Sequence, residues 1–152
     1  MGKRQSIAIY DAFARLSGWL LVSVVVVGCG KSDEFAEARR TSSKSYEEGA
    51  AAFSSRDFPK AIESLSGAIQ SGGLNADLYS SAAVQLAVAY AATRRFEEAN
   101  LLLSELEAGA PNRDEVFAAR SYVLAKQGKL AESRTALAKA RQYNRAVQEF
   151  KD

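Results

Sequence analysis

Two helices and the turn between them are predicted by the stretch LAVAYAATRRFEEANLLLSEL, residues 86–106. The first half is rich in Ala and the second in Leu and Glu, all of which are good helix formers, and Arg94 and Arg95 mark the turn. In the second half, apolar residues recur at offsets that lie on one helical face, namely Phe96, Ala99, Leu103 and Leu106. A stripe of this kind predicts an amphipathic helix that packs against a neighbour.

The same apolar spacing occurs in two other places. One set precedes the stretch and one follows it: Phe58, Ala61, Leu65 and Ala68, then Leu130, Ser133, Leu137 and Ala140. The later two sets begin 34 residues apart and the earlier two 38 apart, which places four extra residues in the loop 71–77. A further helix precedes each set, and it carries a small residue (Gly49, Ala87 or Ser121) that lets two antiparallel helices approach closely.

These features resemble the tetratricopeptide repeat (TPR), a 34-residue helix–turn–helix unit with small residues at the helix crossing. The units are expected at 42–75, 80–113 and 114–147. The third departs most, because Ser133 stands where alanine is usual and no proline closes the unit. The resemblance implies an all-α, right-handed solenoid of about three repeats. A helical bundle with accidental periodicity is the alternative.

The amino terminus has the pattern of an export signal. Basic residues precede an uncharged apolar run of 13 residues, 16–28, and Cys29 follows Gly28 directly. The run is shorter than the roughly 20 apolar residues of a spanning helix. It resembles the lipobox of bacterial lipoproteins, which implies removal of residues 1–28, lipidation of Cys29 and a tether over 29–41. A plain secretory signal and an uncleaved transmembrane helix are the alternatives.

The charge balance argues against nucleic-acid binding. The formal charge is +2, and the leader alone accounts for it, so the part after residue 28 is neutral. A nucleic-acid-binding surface needs an excess of basic residues to neutralise phosphates. Residues 30–111 carry 8 basic and 12 acidic residues, and residues 112–152 carry 9 and 5. This polarity is typical of solvated helix faces, and it is also compatible with head-to-tail self-association.

The composition offers little for catalysis. The chain has no histidine, and its one cysteine is Cys29, so the commonest general base and metal ligand is missing. Adjacent glutamates such as Glu47 and Glu48 point in different directions on a helix. The Arg94-Arg95 pair is expected at a helix end rather than at an anion site. We therefore expect no enzyme activity, no cofactor and no metal.

Binding of a protein partner is the remaining expectation. In TPR proteins the first helix of each unit lines a concave groove, and the corresponding residues here are Tyr46, Phe53, Val84, Val88 and Tyr122. Such an apolar groove suits an amphipathic helix or an extended apolar segment. Alternatively, the chain's own side chains or its N-terminal segment fill the groove. The last helix is expected to continue past Tyr143, with 148–152 as a C-terminal cap.

The sequence as a whole predicts a non-catalytic, envelope-anchored TPR lipoprotein that acts as an adaptor or assembly factor. A self-assembling structural lipoprotein and a carrier of an apolar ligand in the groove are the alternatives. Gly30 follows the lipidated cysteine, where an aspartate commonly signals inner-membrane retention. The resemblance thus favours an outer membrane, facing the periplasm, in a host with two membranes.

Replacing the lipidated cysteine tests the anchor. Cys29→Ser should move the protein from the membrane to the soluble fraction of its native host, because stable retention requires the acyl chains. Fractionation followed by immunoblotting measures this distribution. Equal membrane retention of the variant and the wild type would contradict the lipid anchor.

Overall fold

The structure is a computed structural model that describes residues 30–151, with side chains from Asp33 onward. Residues 1–29, which include Cys29 and the predicted signal peptide, and Asp152 lie outside the described residues. Six helices follow one another in the described part: α1 (Gly30–Ser54), α2 (Phe58–Gln70), α3 (Ala76–Ala92), α4 (Phe96–Glu107), α5 (Arg113–Lys126) and α6 (Leu130–Tyr143). That part contains no strand, so the all-α prediction is confirmed. The helices belong to the compact unit Phe35–Asp152, apart from the first residues of α1, which precede it.

Local sequence signals set the ends of α2 and α3. The Asp57 side chain accepts a hydrogen bond from the Lys60 N–H (3.3 Å), and Pro59 occupies the first turn of α2, where no N–H donor is needed. Gly72 follows α2 with a φ of 69°, a left-handed conformation that glycine adopts without strain. Asn75 then caps α3 by accepting from the Leu78 N–H at 2.8 Å.

The same turn joins the two helices of each pair. Residues 55–57, 93–95 and 127–129 form these connections, and the middle residue is left-handed in each: Arg56 (φ 63°), Arg94 (φ 63°) and Gly128 (φ 80°). The following N–H donates to the carbonyl five residues back, as in Asp57 to Ala52 at 2.9 Å and Lys129 to Leu124 at 2.9 Å. This is the hydrogen-bond pattern of a Schellman helix end. The sequence repeat therefore has a counterpart in the backbone.

The four extra residues of the first repeat lie in helices. The connections 71–75 and 108–112 have the same length, so the prediction of an insertion in the loop 71–77 is wrong. Helix α3 has 17 residues against 14 in α5, and α2 has 13 against 12 in α4. The longer period thus adds almost one helical turn to α3.

Helix α3 lies at the centre of the packing. It contacts α2, α4 and α5, and α5 also contacts α4 and α6. Nine of its side chains are buried: Ser80, Ala82, Ala83, Val84, Leu86, Ala87, Val88, Ala89 and Ala91. A helix that is apolar nearly all round is one that neighbours cover on several sides, and its alanines let those neighbours approach closely.

Close contacts hold α1 against the next two elements. Gly49 is buried, and a Cβ atom added there would lie 2.7 Å from Leu65 Cγ, as expected for a small residue at a helix crossing. In the middle of α1, the buried Ser42 hydroxyl accepts a hydrogen bond from the Gly73 N–H at 2.9 Å. A Cβ on Gly73 would lie 2.3 Å from the Ala38 carbonyl oxygen. The backbone of α1 therefore touches the loop between α2 and α3.

The third helix pair carries a buried polar contact in place of an apolar one. The hydroxyls of Ser121 and Ser133 lie 3.0 Å apart, and both residues are buried. Each hydroxyl therefore has a partner, which a buried polar group requires. The serine at position 133, which departs from the alanine of the repeat, is accommodated by the serine at the opposing small position.

The chain after α6 differs from the expectation of a continued helix. Helix α6 ends at Tyr143, and Asn144 is extended with φ −146° and ψ 111°. Residues 144–151 contain no helix. At the other end, α1 begins at Gly30, so the described part of the predicted tether is helical. No helix among the described residues is both long and apolar enough to cross a membrane.

Two glycine substitutions separate the helix crossing from helix propensity. Both Gly49→Ala and Gly67→Ala gain about 0.5–1 kcal/mol of propensity, because each glycine is inside a helix. Only Gly49 faces a neighbour, since a Cβ on Gly67 meets no atom within 4 Å. We expect Gly67→Ala to raise the thermal midpoint and Gly49→Ala to lower the stability by about 1–3 kcal/mol through overpacking. Thermal and urea unfolding followed by circular dichroism measure both. Equal effects of the two would contradict the close crossing.

Candidate functional site

The most distinctive surface of the described structure is a cleft that the C-terminal segment enters. The segment, residues 144–151, is named the tail here. It runs over a depression formed by residues of α1, α3 and α5, named the tail cleft, which comprises Phe53, Val84, Gln85, Asp114 and Glu115. The three helices are the first members of their pairs. The cleft thus lies on the face where the sequence predicts a groove.

Two apolar side chains of the tail make its contacts with the helices. Val147 packs against the cluster of Phe117, Ala118 and Ala140 on α5 and α6. Phe150 packs against the same cluster and also against the main core around α3. Its ring meets the Phe53 ring edge-on, with centroids 6.3 Å apart and an interplanar angle of 80°. This is a favourable aromatic geometry, and it connects the end of the chain to α1.

Polar contacts fix the point where the tail leaves α6. The Asn144 side-chain amide donates to Asp114 Oδ2 at 2.8 Å, and its oxygen accepts from the Ala146 N–H at 3.0 Å. Arg141 forms an ion pair with Glu149. Stacking of Tyr143 on Phe117, with centroids 5.8 Å apart, fixes the last turn of α6. These contacts direct the tail towards the cleft rather than along the axis of α6.

The beginning of α5 is held in place beside the cleft. The buried Ser80 hydroxyl of α3 donates to the Asn112 side-chain oxygen. The Asn112 amide in turn donates to Glu115 Oε2 at 2.7 Å. On the other side of α5, the Arg120 guanidinium donates to Glu107 (2.9 Å), Asn100 (3.2 Å) and Ser104 (3.1 Å). The acidic edge of the cleft, Asp114 and Glu115, therefore sits on a fixed helix.

The structure brings four of the five predicted groove residues together, and three of them are buried. Val84, Val88 and Tyr122 have exposed fractions of 1%, 3% and 7%, and Phe53 packs against the same core cluster half-buried. Tyr46 packs against the neighbouring cluster around Leu65 and Leu86. The floor of the predicted groove is thus core, and the accessible part is the edge beside Phe53.

The tail does not fill the cleft completely. A cavity of about 300 Å³ remains between the tail and the helices. The Gln85 side chain lines it, and Gln85 Oε1 is buried without a hydrogen-bond partner in the structure. Oε1 itself is closed off from solvent, so the cleft offers a further group its open volume and not this oxygen.

The Arg94-Arg95 turn is a helix end in the structure, as predicted. The Arg95 guanidinium lies 4.3 Å from the centroid of the Tyr90 ring, and its Nε donates to Glu98 Oε1 at 2.9 Å. The Glu98 backbone N–H, in the first turn of α4, and next the Arg95 side chain hold the pKa of the Glu98 carboxyl below its ordinary value. Arg95 is therefore engaged with protein groups at an exposed helix start.

Within residues 30–151 no group of three or more acidic, cysteine or histidine side chains is arranged to hold a metal ion. No protein-family model matches the chain, and no curated protein or solved structure matches it.

Sequence reasoning missed the tail as part of the site. We expected residues 148–152 to form a C-terminal cap on a continued helix, whereas Phe150 reaches Phe53 on α1. One signal was available, because Val147 and Phe150 are the only large apolar residues after Tyr143. Asn144, a residue typical of helix ends, marks where the helix stops.

A charge placed at the floor of the cleft distinguishes core from open groove. Val88→Glu should cost about 3 kcal/mol or more, because the carboxylate would be buried without a partner. Leu101→Glu is the matched control, since Leu101 is 66% exposed on α4, and it should change stability by less than about 0.5 kcal/mol. Urea unfolding measures both. A stable Val88→Glu protein would contradict the burial of this face.

Proposed function

We propose that the chain is a non-catalytic adaptor, lipid-anchored through Cys29, that binds a segment of a protein partner in the tail cleft. The observation that carries the proposal is the tail itself. A non-helical piece of polypeptide already lies in the cleft, with Phe150 edge-on to Phe53 and Val147 against α5 and α6. A surface that accepts one non-helical segment through apolar anchors has the shape and chemistry to accept another.

The arrangement of helices supports a TPR-like array as the scaffold. Each helix of the described part contacts its sequence neighbours, and α3 also contacts α5, the first helix of the next pair. The three identical left-handed turns repeat at the spacing of the sequence motif. Arrays of this kind present the first helices of successive units on one face, which is where the cleft lies.

The site favours binding over chemistry. The cleft is lined by apolar groups, two carboxylates and an amide. Asp114 and Glu115 are held by Asn144 and Asn112 respectively, which gives each a positioning role. An acidic edge beside an apolar floor suits a partner segment that carries a basic residue near its apolar anchors.

The proposed location follows from the sequence. A lipidated Cys29 would hold the domain at the exported side of a bacterial membrane, and Gly30 favours the outer membrane, facing the periplasm. The structural unit that begins at Phe35 would then lie within reach of other envelope proteins.

Site-specific photocrosslinking in the producing cells tests the adaptor function. A benzoylphenylalanine at Glu115, which is exposed at the cleft edge, should form an adduct with a second protein. The same label at Glu63, exposed on α2 and outside the cleft, is the matched control and should not form this adduct. Adducts are detected by immunoblotting and identified by mass spectrometry.

The other outcomes decide against the adaptor. Identical adducts from both positions, or none from Glu115, would contradict a partner site at the cleft. An adduct that contains only two copies of this chain would favour the self-assembling alternative.

A further inference from the structure

The way the tail is attached suggests that it is detachable. Its backbone makes one internal hydrogen bond, from the Val147 N–H to the Asn144 carbonyl at 3.1 Å. Within residues 30–151, no backbone hydrogen bond joins 145–151 to a helix. Side chains alone hold the tail against the cleft. Segments with few backbone hydrogen bonds to the rest of a protein open at low free-energy cost.

The fit of the tail is also incomplete. Val147 and Phe150 are only half-buried, and the cavity of about 300 Å³ stays open beside them. A segment with larger side chains that filled this cavity would make contacts that the tail does not make. The cleft can therefore bind a segment that fills this cavity more tightly than it binds the tail.

We infer that the tail is an intramolecular ligand that occupies the tail cleft until a partner segment with the same anchors displaces it. The partner segment has an aliphatic residue three positions before an aromatic one, as in Val147 and Phe150, and a basic residue to face Asp114 and Glu115. This inference rests on the proposed adaptor function, because it specifies the chemistry of the partner and a control on its binding.

The control works through competition. A tethered segment is present at a high effective concentration, so a partner sees only the fraction of molecules in which the cleft is open. Its apparent dissociation constant rises by the inverse of that fraction. Weakening the tail in the same molecule must therefore strengthen binding of a segment added from solution.

A labelled copy of the tail tests this competition directly. The probe is a fluorescein-labelled peptide of residues 144–152, measured by fluorescence anisotropy against the full-length chain in detergent. Phe150→Ala removes the anchor of the tethered tail and leaves the cleft residues unchanged. We expect the peptide to bind this variant at least tenfold more tightly than the wild type. Lys151→Ala, at an exposed tail position, is the control and should behave as the wild type.

A second variant and a second peptide make the test specific. Asn144→Ala removes the hydrogen bond to Asp114 and should also strengthen peptide binding. A peptide with alanine in place of its phenylalanine should not bind any of the proteins. Far-UV circular dichroism reports whether the helices persist, since residues 144–151 contribute no helix.

Three results would overturn the inference. The first is equal peptide binding by the wild type and Phe150→Ala, and the second is no peptide binding by Phe150→Ala or Asn144→Ala. The third is loss of the helical signal in both variants, which would make the tail a structural part of the fold. The peptide experiment needs no envelope partner, so its failure leaves the crosslinking result at Glu115 intact. Peptide binding without a crosslinked partner would instead contradict the adaptor function alone.

Discussion

Close packing around α3 is the constraint on which the rest of the described structure depends. Helices α2, α4 and α5 all contact this one helix, and its buried positions are mostly alanine. Alanine supplies high helix propensity with little volume, so neighbouring backbones can come near without leaving voids. Gly49 likewise allows two helices to approach closely, because a Cβ atom there would lie 2.7 Å from Leu65 Cγ. Larger residues at these positions would separate the helices and open the core.

The location of the site follows from this packing. Helices α2 and α4 pack against α3, and residues of α1, α3 and α5, the first helices of their pairs, meet at the cleft. The floor of the cleft is core, as the burial of Val84 and Val88 shows. Its rim is acidic and aromatic. The tail lies on this rim because Asn144 ends α6 and turns the chain towards Asp114.

Patterns local to one helix pair could be predicted from the sequence, and contacts over long distances could not. Apolar spacing and the position of small residues correctly placed the helices and the close crossing at Gly49. The same spacing predicted four extra residues but not their location. The number of residues between two apolar stripes does not show whether the extra ones lie in a helix or in a loop. The tail was misplaced because its course depends on an Asn144–Asp114 contact across 30 residues of chain. Nor does the sequence foretell that Arg56 and Arg94 adopt a left-handed φ, which glycine adopts in the third turn.

The contact between the rings of Phe53 and Phe150 is the most direct measure of the central claim, that the chain's own tail occupies the cleft. Nuclear Overhauser spectroscopy on the full-length chain in detergent, with ring-labelled phenylalanine, detects it, and Phe53→Leu and Phe150→Leu variants assign the two rings. We predict cross-peaks between them, consistent with centroids 6.3 Å apart, and ring-current shifts at Phe150. Absence of these cross-peaks, with Phe150 shifts equal to those of the free tail peptide, would contradict the placement of the tail in the cleft.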